Sequence, residues 1–234
     1  MMRDQIKNKD YFDIFIDENQ DEIEFYQGKL NNNEVKEERI NIIKNEIRNI
    51  RLEIFYAQYS RGDGFEEIAK SYVEDFKEKL NTIPSLFHSK SYSYVANLEI
   101  MSLGILLNLG DLVREVYEPL LKTANINDWL YDFILLEKNT DKILLWEEPY
   151  NLIRNLVNAE GEKTKVSILK DYLDNRWYKA NIEVGWYDSH KSKQDTYTGY
   201  WSLESGAVAK ILGLDDSSLK GQQYYPYDMV HFKG

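Results

Sequence analysis

The chain has 234 residues, 43% hydrophobic and 29% charged, a globular composition long enough for one large domain or two small ones. It contains no cysteine, which excludes disulfides, zinc–thiolate sites and cysteine nucleophiles. Its net charge of −11, split as −8 over residues 1–120 and −3 over residues 121–234, argues against binding nucleic acid or an anionic membrane and favours a basic partner. Met1–Gln5 holds no apolar signal core and no apolar run reaches about 18 residues, so a cytoplasmic chain without a membrane span is expected.

Residues 10–24 hold seven acids and no base. Phe12, Phe15, Ile16, Ile23 and Tyr26 interrupt the acids at near-helical spacing, which predicts a helix with a solvated acidic face. Asp13, Asp17, Asp21 and Glu24 step by four, four and three, so they share one side of that helix. Like charges at this spacing cost an isolated helix roughly 0.2–0.5 kcal/mol per pair. Nothing in folding recovers that cost, so the four acids are the candidate partner-binding stripe.

Asn31–Asn33 predicts a turn. Ile40, Ile43, Ile47, Ile50 and Ile54 then alternate steps of three and four, the seam of a bundle helix, with a coiled-coil homodimer as the alternative. Tyr59–Ser60–Arg61–Gly62 closes it, and Asp63 with Glu66 predicts a capping box for the next helix. Phe65, Ile68, Tyr72, Phe76 and Leu80 form that helix's inner face. Pro84 predicts a loop. Tyr92 to Leu109 is apolar on nearly all sides, which predicts a central buried helix stopped by Gly110. Leu112–Tyr117 is a shorter helix that Pro119 interrupts. The small polar run Lys122–Asn125 places a boundary near 119–127, with an N-terminal domain over 1–120 and a C-terminal domain over 121–234.

Asn127 or Asp128 caps a helix carrying Trp129, Leu130, Phe133, Ile134 and Leu136. Pro149 opens another. Val166, Leu169, Leu173 and Trp177 mark a further apolar face. Gly185–Thr198 is the longest expected loop. No stretch alternates apolar and polar residues over a useful length. The expected fold class is therefore all-α, with two domains or two layers of antiparallel helices.

The densest stretch of unusual residues runs from Gly199 to Asp228. Ser205–Gly206–Ala207–Val208–Ala209 predicts a helix with a thin wall that another element approaches closely. Gly206 costs such a helix about 1 kcal/mol relative to alanine, so packing must require it. Gly213 fits a left-handed C-cap. Asp215–Asp216–Ser217–Ser218 predicts a cap for a short helix that stops at Gly221. Tyr224–Tyr225–Pro226–Tyr227–Asp228 closes the stretch. Glu204 is expected to be buried against Arg176, His190 or a tyrosine hydroxyl, and His190 to order its loop. The enzymatic alternative is a metal-dependent hydrolase using Glu204, Asp215 and Asp216, with His190 and Asp228 nearby. Neither the spacing of His88, His190 and His231 nor any glycine-rich phosphate loop supports it.

The order Gly199–Tyr200–Trp201–Ser202, Glu204 with small residues after it, Leu212–Gly213–Leu214–Asp215–Asp216–Ser217–Ser218 and Tyr225–Pro226–Tyr227–Asp228 resembles the C-terminal domain of the PoNi family. These are two-domain immunity proteins that neutralise polymorphic nuclease effector toxins of bacteria. Tyr59–Ser60–Arg61–Gly62 after a long helix is similar to the family's other domain. Leu203 departs from the pattern, where an aromatic residue is commoner. The resemblance implies a cytoplasmic inhibitor that neutralises a basic DNase toxin by direct contact, with no cofactor, no enzymatic activity and no nucleic-acid contact of its own. It marks Tyr200, Trp201, Glu204, Gly213, Asp215, Asp216, Tyr225, Pro226 and Asp228 as motif residues with a structural role.

Overall fold

A computed structural model describes residues 1–83 and 91–234, and every regular element among them is helical. The predicted loop at Pro84, and His88, lie outside the described residues. Among the described residues no helix is long and apolar enough to cross a membrane. The contacts divide the chain into two units, Met1–Thr82 with Asp188–Tyr200, and Ile83–Tyr187 with Trp201–Gly234. The expected boundary region 119–127 lies inside the second of these units.

The first unit holds α1 (Lys9–Asn31), α2 (Glu37–Arg61) and α3 (Phe65–Asn81). Asn8 caps α1 by accepting from the Tyr11 N–H at 3.0 Å. The isoleucine seam of α2 is covered from within the chain. Ile47, Ile50 and Ile54 form one cluster with Ile23 of α1, with Ile16, Tyr26, Leu30 and Ile43 packed on it. Phe55 stacks on Tyr72 of α3 with ring centroids 4.6 Å apart. Gly62 ends α2 at φ 98°, and a Cβ there would stand 2.3 Å from the Met1 carbonyl oxygen. Only glycine combines that dihedral with that approach. The predicted capping box does not form. Gly64 is the N-cap of α3 and supplies no side chain, while the Asp63 carboxylate is taken by Arg61 at 2.8 and 2.6 Å. A guanidinium is a stronger donor to a carboxylate than an amide N–H.

The second unit begins with α4 (Ser91–Leu106), α5 (Gly110–Thr123), α6 (Trp129–Leu136) and α7 (Glu147–Asn158). There follow α8 (Glu162–Asp171), a π-helical turn at Tyr172–Arg176, α9 (Trp177–Ala180), α10 (Leu203–Leu212) and α11 (Tyr227–Val230). Asp128 is the cap of α6, accepting from the Tyr131 N–H at 2.9 Å. Two expectations fail here. Gly110 does not stop α4. That helix ends at Leu106, Asn108 takes the left-handed turn at φ 60°, and Gly110 opens α5. Nor does Pro119 interrupt α5, which runs through it. Pro119 lies on the exposed side with Glu115, so the Glu115 carbonyl loses its N–H partner at a solvent-exposed position.

The thin wall of α10 is used as predicted. A Cβ on Gly206 would stand 2.7 Å from Pro226 Cγ, 3.2 Å from Val230 Cγ2 and 3.4 Å from Leu106 Cδ2. At Gly206 the backbone of α10 is thus closely approached by both α4 and the Pro226–Val230 segment. Lys210, further along α10, donates to the carbonyls of Leu106 at 2.9 Å and Phe232 at 3.0 Å.

Candidate functional site

α1 carries seven acids, most of them on its outer side. Asp17, Asp21 and Glu24 are exposed, as are Glu18 and Glu22. Asp13 departs from the expected stripe. It is half-buried and accepts from Lys9 Nζ at 2.6 Å and Arg61 Nη1 at 2.8 Å. The Lys9 ammonium, and then the Arg61 guanidinium, hold its carboxyl below the usual carboxylate range. Its charge is spent inside the first unit, because a tight basic side chain arrives from α2 that no local spacing announces.

Two large apolar side chains on this helix escape the sequence reading. Ile14 is 54% exposed and Phe25 is 57% exposed. They are eleven residues apart, three helical turns, which aligns them with each other and with Asp21. The legible signal was that both fall out of phase with the buried Phe12, Phe15 and Ile23. Lys29 places its ammonium 4.3 Å from the Phe25 ring centroid.

The family-motif stretch is packed and hydrogen-bonded. Tyr200 is buried and its hydroxyl lies 2.7 Å from His190 Nδ1, while the His190 N–H donates to the same oxygen at 3.2 Å. His190 therefore orders its loop. Ser60 Oγ, at the end of α2, donates to the Thr198 carbonyl at 2.6 Å and fastens the same loop. Tyr197 donates to Asp4, and its N–H donates to Tyr11 Oη at 3.0 Å.

In the second unit Glu204 is buried at the start of α10. Its Oε1 accepts from Tyr172 Oη at 2.6 Å and Ser202 Oγ at 2.8 Å. Burial pushes its carboxyl up, and those two hydroxyls pull it partly back. Of the three expected partners, the tyrosine hydroxyl is the one that reaches it. A second carboxylate sits behind this one. Glu99 accepts from Trp186 Nε1 at 2.8 Å, and burial with the nearby Glu204 charge raises it to about 7.

Asp216 corrects another expectation: it stands at the N-cap position of the short 3-10 helix Ser217–Leu219, but its side chain makes no capping hydrogen bond. It is buried and accepts from Tyr225 Oη at 2.5 Å, and its Oδ1 lies 2.8 Å from His231 Nε2. It ties the chain's last segment to the corner after α10. Asp215 is exposed and accepts the Ser217 N–H at 3.2 Å, a local turn. Gly213 is the left-handed cap of α10 at φ 60°. Pro226 and Tyr225 are buried, whereas Trp201, Tyr227 and Asp228 are only half-buried. The carboxylates of the hydrolase alternative are thus committed separately: Glu204 to Tyr172 and Ser202, Asp216 to Tyr225 and His231. Among the described residues no three His, Asp or Glu side chains gather as a metal site.

Comparison with known proteins adds three findings. Residues 3–117 match the family model described as PoNe immunity protein (PoNi), N-terminal, and residues 126–229 match its C-terminal counterpart. The crystal structure of protein PA2201 from Pseudomonas aeruginosa superposes with a TM-score of 0.67 at 16% identity, covering 98% of this chain and 89% of that one. At that identity the likeness bears on the fold alone. No curated protein matches the chain.

Proposed function

The chain belongs to the PoNi family of immunity proteins, whose function is to neutralise a toxin, and from that premise we propose that it binds a basic DNase toxin through the outer face of α1. The observation that carries this reading is the composition of that face. Asp17, Glu18, Asp21, Glu22 and Glu24 are exposed around Ile14 and Phe25. Apolar anchors inside a charged surround are the usual anatomy of a tight interface. The carboxylates steer a basic nuclease into the encounter, and the two apolar side chains are desolvated once it docks. Inhibition is stoichiometric and needs no turnover. It takes place in the cytoplasm, where a DNase meets its substrate.

Co-expression with a candidate nuclease toxin encoded beside this chain's gene tests the reading. A one-to-one complex that survives purification and silences DNA cleavage supports it. The Asp17→Lys/Asp21→Lys variant should then associate about tenfold more slowly at low salt, the low end of electrostatic steering. A toxin that stays active when mixed with excess protein refutes the reading.

A further inference from the structure

The three helices of the first unit surround a cavity of about 390 Å³. Gln20 and Gln27 of α1, Arg51 and Gln58 of α2, and Tyr72 and Asp75 of α3 supply most of its polar lining. Ile23, Ile54 and Phe55, all buried, supply the apolar part. Tyr72 is 4% exposed, and its hydroxyl is buried with no hydrogen-bond partner among the described residues. Burial, and then the Asp75 charge, push its ionisation up, so the hydroxyl stays neutral and keeps its proton to donate. A buried donor without an acceptor costs the free protein stability, and native proteins leave few of them. One ordered water takes about 30 Å³, so water on this hydroxyl alone does not account for a cavity of this size.

The lining sets the chemistry of an occupant. Gln20 is exposed, and Gln27 and Gln58 are half-buried. Among the described residues no hydrogen bond uses their carboxamides, each of which offers two N–H donors and an acceptor oxygen. The charges in the lining, Arg51 and Asp75, are paired with each other. A cation entering here meets the guanidinium and an anion meets the carboxylate, whereas a neutral amide meets neither penalty and matches the glutamines group for group. The volume lies within the roughly 300–1,000 Å³ of pockets that enclose a ligand. The position of the cavity names the source of that amide. Asp17, Gln20, Glu24 and Gln27 follow one another at steps of three, four and three, which makes them one stripe of α1. The exposed Asp17 and Glu24 of the outer face thus alternate with the glutamines of the cavity, and a chain docked along α1 passes its mouth.

We propose that this cavity receives a short uncharged stretch of the toxin, whose amides pair with Gln20, Gln27 and Gln58 and whose innermost carbonyl accepts from Tyr72 Oη. The assignment rests on the reading that a toxin docks on α1, and it lies wholly within the first unit. Acids outside the cavity speed the encounter, and the buried amide contacts lengthen the life of the complex.

The test uses the full chain and the candidate nuclease toxin that co-purifies with it. Tyr72→Phe removes the unpartnered hydroxyl and keeps the ring. Ser71→Trp fills the cavity from the exposed side of α3 and leaves every acid of α1 in place. Tyr72→Phe should melt no lower than the wild type and release the toxin about two- to tenfold faster, the worth of one hydrogen bond. Ser71→Trp should release it about tenfold faster or more, as when a central anchor is lost. Both effects should be the same at about 0.1 M and about 1 M salt, whereas that of Asp17→Lys/Asp21→Lys on association fades over that range. In a double-mutant cycle, Tyr72→Phe should couple to an uncharged toxin residue; coupling to a toxin lysine or arginine overturns the neutral occupant. A lower melting temperature for Tyr72→Phe shows its hydroxyl already satisfied in the free protein and overturns the assignment. Release at the wild-type rate from either variant overturns it while the proposed function stands, and binding of free N-methylacetamide beside such unaltered release makes this a small-molecule site. Failure of the wild type to bind the toxin overturns both readings.

Discussion

Replacing Gly206 by alanine and Gly28 by alanine should move stability in opposite directions, although both glycines sit inside helices. The helix itself gains about 1 kcal/mol from either change. What differs is the room for one methyl group. A Cβ on Gly28 would meet nothing within 4 Å, so Gly28→Ala should stabilise by about 0.4–1 kcal/mol. Around Gly206 the new carbon would stand 2.7 Å from Pro226 Cγ, about 1 Å inside an ordinary carbon–carbon contact. A proline ring is fixed to its backbone, so relief requires the segment leading into α11 to move. Overpacking of this kind costs roughly 1–3 kcal/mol. Set against the helix gain, Gly206→Ala should lose about 0–2 kcal/mol. At roughly 2–4 °C per kcal/mol for a chain of this size, its melting temperature falls by up to about 8 °C, while that of Gly28→Ala rises by about 1–4 °C. Differential scanning calorimetry of the two variants beside the wild type measures both. If Gly206→Ala rises as far as Gly28→Ala, the close approach around α10 does not constrain the fold and the reasoning fails.

The Glu99 carboxyl binds a proton in the folded chain up to about pH 7, whereas the unfolded chain releases it near 4.5. The folded state therefore holds more protons between those values, and stability should fall as pH rises through that window, by about 1–3 kcal/mol given its partial exposure. Glu99→Gln should flatten this slope in urea melts at a series of pH values; an unchanged slope assigns it to other groups. Ser60→Ala deletes the hydroxyl that satisfies the Thr198 carbonyl and should cost about 1–3 kcal/mol by denaturant titration. Hydrogen exchange should then quicken across 188–200, and uniform protection there would contradict the fastening role. Tyr225→Phe strands the buried Asp216 carboxylate with one fewer donor and should cost about 1–3 kcal/mol, whereas Trp201→Ala, at a half-buried position, should cost less than the roughly 3–5 kcal/mol of a fully buried tryptophan.

The amino-acid sequence by itself determined the helical class, because helical periodicity is local. The apolar steps of α2, α3 and α8, the Asp128 cap, the Gly62 and Gly213 stops and the thin wall at Gly206 all rest on residues within a few turns of one another. The order of residues in the motif stretch likewise carried the family. Tertiary structure alone decided who partners whom. Asp13 reads as free until the Arg61 guanidinium arrives from α2, and Asp216 reads as a cap until Tyr225 and His231 fold back onto it. Pro119 reads as a helix breaker, yet the packing of α5 holds the helix through it. The return of residues 188–200 to the first unit, and the gathering of Gln20, Arg51 and Tyr72 around one cavity, join segments tens of residues apart. Such contacts are selected by burial and hydrogen-bond competition across the whole chain, which no local pattern of residues records.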